Sequence, residues 1–185
     1  MDLVIDILLW GALAVVVIYI IKVYNNLVVL KRNTDKAWSN IDVLLKQRYD
    51  EIPKLVKTVK GYMKHEKSTI VDVIKARGAC IHAGSVAEQG QAENMLSATL
   101  GKLFALSEKY PELKANENFA HLQSRITHIE NQIADRREFY NDSVNVYNIR
   151  IHQLPDALLA SFVGYKDVDL FRIASRERQD VDIDF

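Results

Sequence analysis

The chain has 185 residues, enough for one folded unit with a core of its own and too many for a mini-domain that needs staples. Its 24 Lys and Arg balance 24 Asp and Glu, and a net charge of zero argues against general nucleic-acid binding. One cysteine, Cys80, excludes an internal disulfide and any multi-cysteine zinc site, while 7 Gly and 3 Pro leave few turns and predict long helices.

All Lys and Arg follow residue 21, and only Asp2 and Asp6 carry side-chain charge before it. Leu3 to Ile21 reads LVIDILLWGALAVVVIYII. At ~1.5 Å per residue this run spans roughly 28 Å, close to the hydrocarbon thickness of a bilayer. Asp6 lies near one end of it, where a carboxylate reaches the headgroups. A cleaved signal peptide is the rival reading, but the run lacks a basic leader, and its small-x-small site, Ala12-Leu13-Ala14, falls inside the apolar stretch. A wholly buried core helix is the plainer alternative. The pattern predicts an uncleaved transmembrane anchor over 1–23. Lys22, Lys31, Arg32 and Lys36 follow the span, which directs the N-terminus outside and the rest into the cytoplasm.

Beyond the anchor the apolar positions keep a helical period. Leu27, Leu30, Thr34, Ala37, Ile41 and Leu44 alternate steps of three and four, and Trp38, Leu45, Tyr49 and Ile52 widen the stripe. Pro53 either kinks this helix or opens the next, with Asp50 as an N-cap. A second stripe runs Val59, Met63, Glu66, Ile70, Val73, Arg77, Cys80, and Gly78, Gly84, Ser85 and Gly90 mark its end and a loop. A third helix, about 91–110, carries Leu96, Thr99, Leu103 and Leu106. After Pro111, Asn116 is the N-cap of a fourth, about 36 residues long, lined by Phe119, Leu122, Ile126, Ile129, Ile133, Arg136, Tyr140, Val144, Tyr147, Ile151 and Leu154.

Four amphipathic helices with short joins predict an all-α fold: a transmembrane helix followed by an antiparallel up-down four-helix bundle over 24–154. Polar residues interrupt the stripes, so an internal core fits better than a coiled-coil dimer. Residues 155–185 form a short apolar helix stopped by Gly164 and a charged tail from about Ser175. Because the fourth helix runs back toward the anchor, Leu158, Leu159 and Phe162 are candidate membrane-surface contacts, or a cover for the bundle end.

Two polar constellations stand out. Tyr140-Asn141 and Tyr147-Asn148 repeat at seven residues, and rise counting sets the second pair level with Tyr24-Asn25. Together they predict a membrane-proximal clasp between first and last helices, with a ligand site as the alternative. Asp35, Asp72 and Arg136 fall at one level and predict a polar core layer, since buried charges must pair.

The stretch AWSNIDVLLKQRYDEIPKLVKTVKGYMKHE, Ala37 to Glu66, resembles the LemA family of bacterial membrane proteins. YPELKANENF, Tyr110 to Phe119, and ENQIADRREFYNDSVNVYN, Glu130 to Asn148, agree in the same order. The resemblance covers roughly 24–165. Leu154-Pro155 stands where the family usually has Phe-Pro, and the tail past Gly164 matches loosely. It implies a single N-terminal span in the bacterial inner membrane, a cytoplasmic helical bundle and no established enzymatic activity. It supplies no residue-level site. Some members occur in genetic neighbourhoods with membrane metalloproteases, and a relative resembles a factor in bacterial organelle membranes.

Chemical motifs are weak. No Glu is followed by His at three residues, His65-Glu66 lacks the second histidine of HExxH, and His121 and His128 beside Arg125 are too few for a metal. Cys80 sits on an apolar stripe as a small hydrophobe. Lys54, Lys57, Lys60 and Lys64 make a basic ridge, read as a solvated face with an acidic partner as the alternative. No cofactor, nucleic acid or small-molecule substrate is expected. The sequence predicts a non-catalytic, membrane-anchored scaffold whose partners are the bilayer and membrane proteins or further copies of itself. The alternatives are a membrane-shaping protein using 156–163 and, behind it, an enzyme with a polar site inside the bundle.

Overall fold

A computed structural model describes residues 2–172, and every element among them is helical. α1 runs Asp2–Lys60, α2 Lys67–His82, α3 Val86–Ser107, α4 Pro111–Lys114, α5 Glu117–His152 and α6 Asp156–Val163. The charged tail expected from Ser175 lies outside the described residues.

α1 continues through Pro53 for 59 residues, so the helix neither stops there nor restarts at Asp50. Proline removes the N–H that would bond the carbonyl four residues back. That carbonyl belongs to Tyr49, and Arg77 of α2 donates its Nε–H to it at 2.8 Å. A long-range partner thus replaces the missing ladder bond. Arg77 interrupts the α2 stripe for this reason. Glu66, the other interruption there, accepts from the Tyr110 hydroxyl at 3.3 Å.

Ser85 caps α3: its Oγ accepts the Glu88 N–H at 3.2 Å while Glu88 accepts the Gly84 N–H at 2.8 Å. The helix therefore begins five residues before the expected Gln91, and Gly78 and Gly90 lie inside helices instead of in a loop. Asn116 caps α5 as expected, its Oδ1 accepting the Phe119 N–H at 3.0 Å. α5 has the anticipated 36 residues.

Two compact units divide the chain. Among the described residues the first takes 2–40 and 138–169, the second 41–137 and 170–172. In the first, Val23 and Leu27 of α1 pack with Tyr147 and Ile151 of α5 and Ala160 of α6. Trp38 and Tyr140 add a tilted ring contact at 5.3 Å. Gly164, at φ +80°, ends α6 in the left-handed conformation, and the Tyr165 N–H bonds back to the Ala160 carbonyl at 2.9 Å.

In the second unit Ile41, Leu45, Ile52, Leu55 and Val59 of α1 form one buried stripe. Val73, Ala76 and Cys80 of α2, Leu96, Leu100 and Leu103 of α3, and Ile126, Ile129 and Ile133 of α5 supply the rest of the core. α3 buries Leu100 and Ser107 where the sequence pointed to Thr99 and Leu106, one position away in the same three–four rhythm. One helix among the described residues is long and apolar enough to cross a membrane. It is α1, near its N-terminus, and none of its apolar window is buried.

Candidate functional site

The strongest polar cluster lies in the second unit and was not singled out by sequence reasoning. Arg48 of α1 is fully buried. It donates Nη1–H to Glu93 of α3 at 2.9 Å and Nη2–H to Ser97 at 2.8 Å, with Glu130 of α5 at 3.4 Å. Glu93, also fully buried, accepts from the Tyr49 hydroxyl and from Gln89 Nε2 at 3.2 Å, and Gln89 also donates to the Tyr49 oxygen at 2.6 Å. Beside it, Glu51 accepts from Arg125 at 2.8 Å and from Lys54 at 3.1 Å. The available signal was phase. Arg48 stands between Leu45 and Ile52, and Glu93 stands three residues before Leu96, so both sit on apolar stripes.

Burial is the main cause of the raised Tyr49 hydroxyl pKa, with the Glu93 charge second. The same causes push the Cys80 thiol up to about 12. A nucleophilic cysteine needs the opposite shift, so this cluster holds protons where they are. Among the described residues no group of three His, Cys, Asp or Glu is placed to hold a metal. A cavity of about 510 Å³ opens beside Arg48, lined by Asn94, Ser97, Thr127, Glu130 and Arg137 together with Leu100 and Phe104. On another face, a groove of about 560 Å³ between the end of α1 and α2 has Met63, Ile70, Val71 and Ile74 in it and Lys60, Lys64 and Lys67 around it. A smaller one of about 350 Å³ shares Lys60 and Ile74 and adds Pro53, Val56 and Lys57. Among the described residues no carboxylate lines either groove.

The predicted polar layer does not form. Asp35, Asp72 and Arg136 are all exposed, and Asp35 pairs along its own helix with Lys31 at 2.5 Å. Between Ile133 and Tyr140 the stripe on α5 steps four then three, so Arg137 turns partly inward and Arg136 faces water. Asp72 precedes the buried Val73 and therefore points away from the core.

The Tyr-Asn pairs separate. Tyr140 and Tyr147 are buried in the first unit, whereas Tyr24 and Asn25 are exposed on α1. The hydrogen bonds of the α5 residues go to the segment after α6. Tyr140 donates to the Asp169 carbonyl at 2.8 Å, and Asn148 both donates to the Val168 carbonyl at 2.9 Å and accepts its N–H at 3.0 Å. Tyr147 packs edge-on against Tyr165 at 6.1 Å, its hydroxyl without a partner among the described residues. Asn141 is half-buried. Burial, then Asp169 and Asp35, push the Tyr140 hydroxyl up to about 12. Tyr140, Tyr147 and Asn148 thus hold 165–169 along α5, and the rings of Tyr140 and Tyr147 also meet α1 at Trp38 and at Val23 and Leu27. Rise counting had no way to place that segment.

Of the candidate membrane contacts, Leu158 and Phe162 are exposed, while Leu159 packs inward on the Val23 cluster. Asp156 is buried and pairs with Arg150.

The chain is 27% identical over 175 residues to magnetosome protein MamQ 2 of Paramagnetospirillum magneticum, covering 80% of this chain and 64% of the relative. It is 26% identical over 174 residues to magnetosome protein MamQ of Magnetospirillum gryphiswaldense, with the same coverage. The chain therefore spans less than two thirds of these relatives' length. The LemA family model matches residues 37–185, past Gly164 where the motif-by-motif resemblance thins, and the chain belongs to the LemA family.

Proposed function

We propose that this LemA-family chain is a single-pass, non-catalytic scaffold of the bacterial inner membrane, with its N-terminus outside and its helical part in the cytoplasm. One observation carries the reading: an apolar stretch long enough to span a bilayer, wholly exposed, is continuous with the helix that carries the core residues Ile41 to Val59. The exposed apolar run calls for lipid, and the residues that follow it belong to the same helix. The segments α1 41–60, α2, α3 and α5 117–137 act as an antiparallel four-helix bundle, with the Arg48–Glu93 network fixing its register. Lys22, Lys31, Arg32 and Lys36 support the cytoplasmic side.

A scaffold needs a docking face, and the groove between α1 and α2 is apolar at its floor and ringed by lysines. It suits a protein segment that presents carboxylates around apolar anchors. Site-specific photocrosslinkers at Val71 and Ile74 of the full chain in its native membrane test this. Adducts from one partner class, identified by mass spectrometry and lost on Lys60→Glu/Lys64→Glu, are expected. A purified chain that turns over a substrate or holds stoichiometric metal would overturn the scaffold reading.

A further inference from the structure

α6 has two faces. Asp156 and Ala160, one turn apart, are buried. Leu158 and Phe162 lie two residues on from each, about 200° around the helix, and are 69% and 90% exposed. Leu154, four residues before Leu158, is 78% exposed. Leu154 lies in the turn that precedes α6, and Leu158 and Phe162 lie one turn apart on the helix; exposed apolar side chains grouped in this way mark an interaction surface.

The covering medium follows from where α6 is held. Its buried side packs on Val23 and Leu27, and Leu159 joins the same cluster. Those residues follow Ile21, the last of the apolar run, by two and six positions, or about 3 and 9 Å along α1. The interfacial zone of a bilayer adds roughly 5–8 Å beyond the hydrocarbon on each side. α6 is therefore seated at headgroup height by contacts within its own unit. Tyr24, exposed at that level, is the type of residue enriched in the aromatic belt. Lys22 and Lys166 are the chain neighbours of Val23 and Tyr165, both of which belong to or pack on that cluster.

We propose that α6 is a second membrane attachment, with Leu154, Leu158 and Phe162 inserted into the bilayer interface beside the anchor. This rests on the reading that Leu3–Ile21 spans the bilayer. One span leaves a protein free to tilt and rotate about it. A second contact at Phe162 restricts both for the unit that carries α6.

Nitroxide labels on the full chain, reconstituted at low protein-to-lipid ratio in phosphatidylcholine vesicles, provide the test. Leu158→Cys and Phe162→Cys carry the test labels, Leu9→Cys reports the span, and Ser39→Cys, about 27 Å past Ile21 along α1, reports water. Cys80 is buried and stays unlabelled. The expected result is a several-fold loss of contact with a water-soluble nickel chelate at 158 and 162 relative to 39, and a larger loss at 9. Labels at 158 and 162 as wet as 39, with 9 protected, overturn the proposal and leave the anchor standing. A wet label at 9 overturns both. Dipolar broadening between copies at 158 places a second chain on the stripe and also overturns it.

Discussion

Arg48→Met is the most informative single change. The guanidinium it removes makes hydrogen bonds to Glu93 and Ser97 and faces Glu130 at 3.4 Å. Glu93 then keeps the Tyr49 hydroxyl and Gln89 but loses the one counter-ion it has among the described residues, while remaining fully buried. Breaking a buried pair from one side costs about 3–5 kcal/mol, most of it the stranded charge. For a chain of this size each kcal/mol moves the melting temperature by roughly 2–4 °C, so a fall on the order of 6–20 °C is expected. Removing both charges, Arg48→Met with Glu93→Leu, leaves no stranded ion and recovers most of the loss. Thermal unfolding of the full chain in detergent, followed by circular dichroism, measures both. A single variant within about 2 °C of the parent, or a double variant no better than the single, would refute the argument.

Arg77→Met strands the Tyr49 carbonyl and is expected to cost about 1–3 kcal/mol in the parent but much less with Pro53→Ala, whose restored N–H takes over. Double-mutant-cycle coupling below roughly 0.3 kcal/mol would contradict this. Tyr140→Phe gives up the bond to Asp169 and costs about 0.5–1.5 kcal/mol, whereas Tyr147→Phe removes an unpartnered hydroxyl and is neutral or stabilising. The opposite ranking in chemical denaturation counts against the account of 165–169. A Cβ on Gly90 would stand 2.5 Å from the Arg172 carbonyl oxygen, so Gly90→Ala is expected to raise hydrogen exchange at 170–172 and cost roughly 1–3 kcal/mol. Unchanged protection there would show that the close approach is not needed. Finally, Cys80 titrates near 9 when unfolded but is held up to about 12 when folded, so above pH 9 the unfolded chain loses its proton first. The stability from the protonated thiol is thus present below pH 9 and is lost as pH rises toward 12. Cys80→Ala should delay the onset of that alkaline decline to near 10, where tyrosines of the unfolded chain begin to ionise. An identical onset in both proteins would dismiss the thiol's part.

Much of this molecule was legible along the chain because helical periodicity and apolar run length are local properties. The run from Leu3 to Ile21, the cap at Asn116, the length of α5 and the buried faces around Ile126 and Ile133 all follow from spacing and residue type. What depended on partners distant in sequence was not legible. Pro53 reads equally as a kink or a break until Arg77 arrives to satisfy Tyr49. Arg136 and Arg137 are one residue apart, and only packing decides which turns inward. Tyr140 and Asn148 mark a polar seam, but their partners are backbone groups of 168 and 169, which carry no side-chain signature. Periodicity reports which face of a helix is apolar. Which element covers that face, and which buried charge meets which, is set by three-dimensional neighbours that the order of residues does not list.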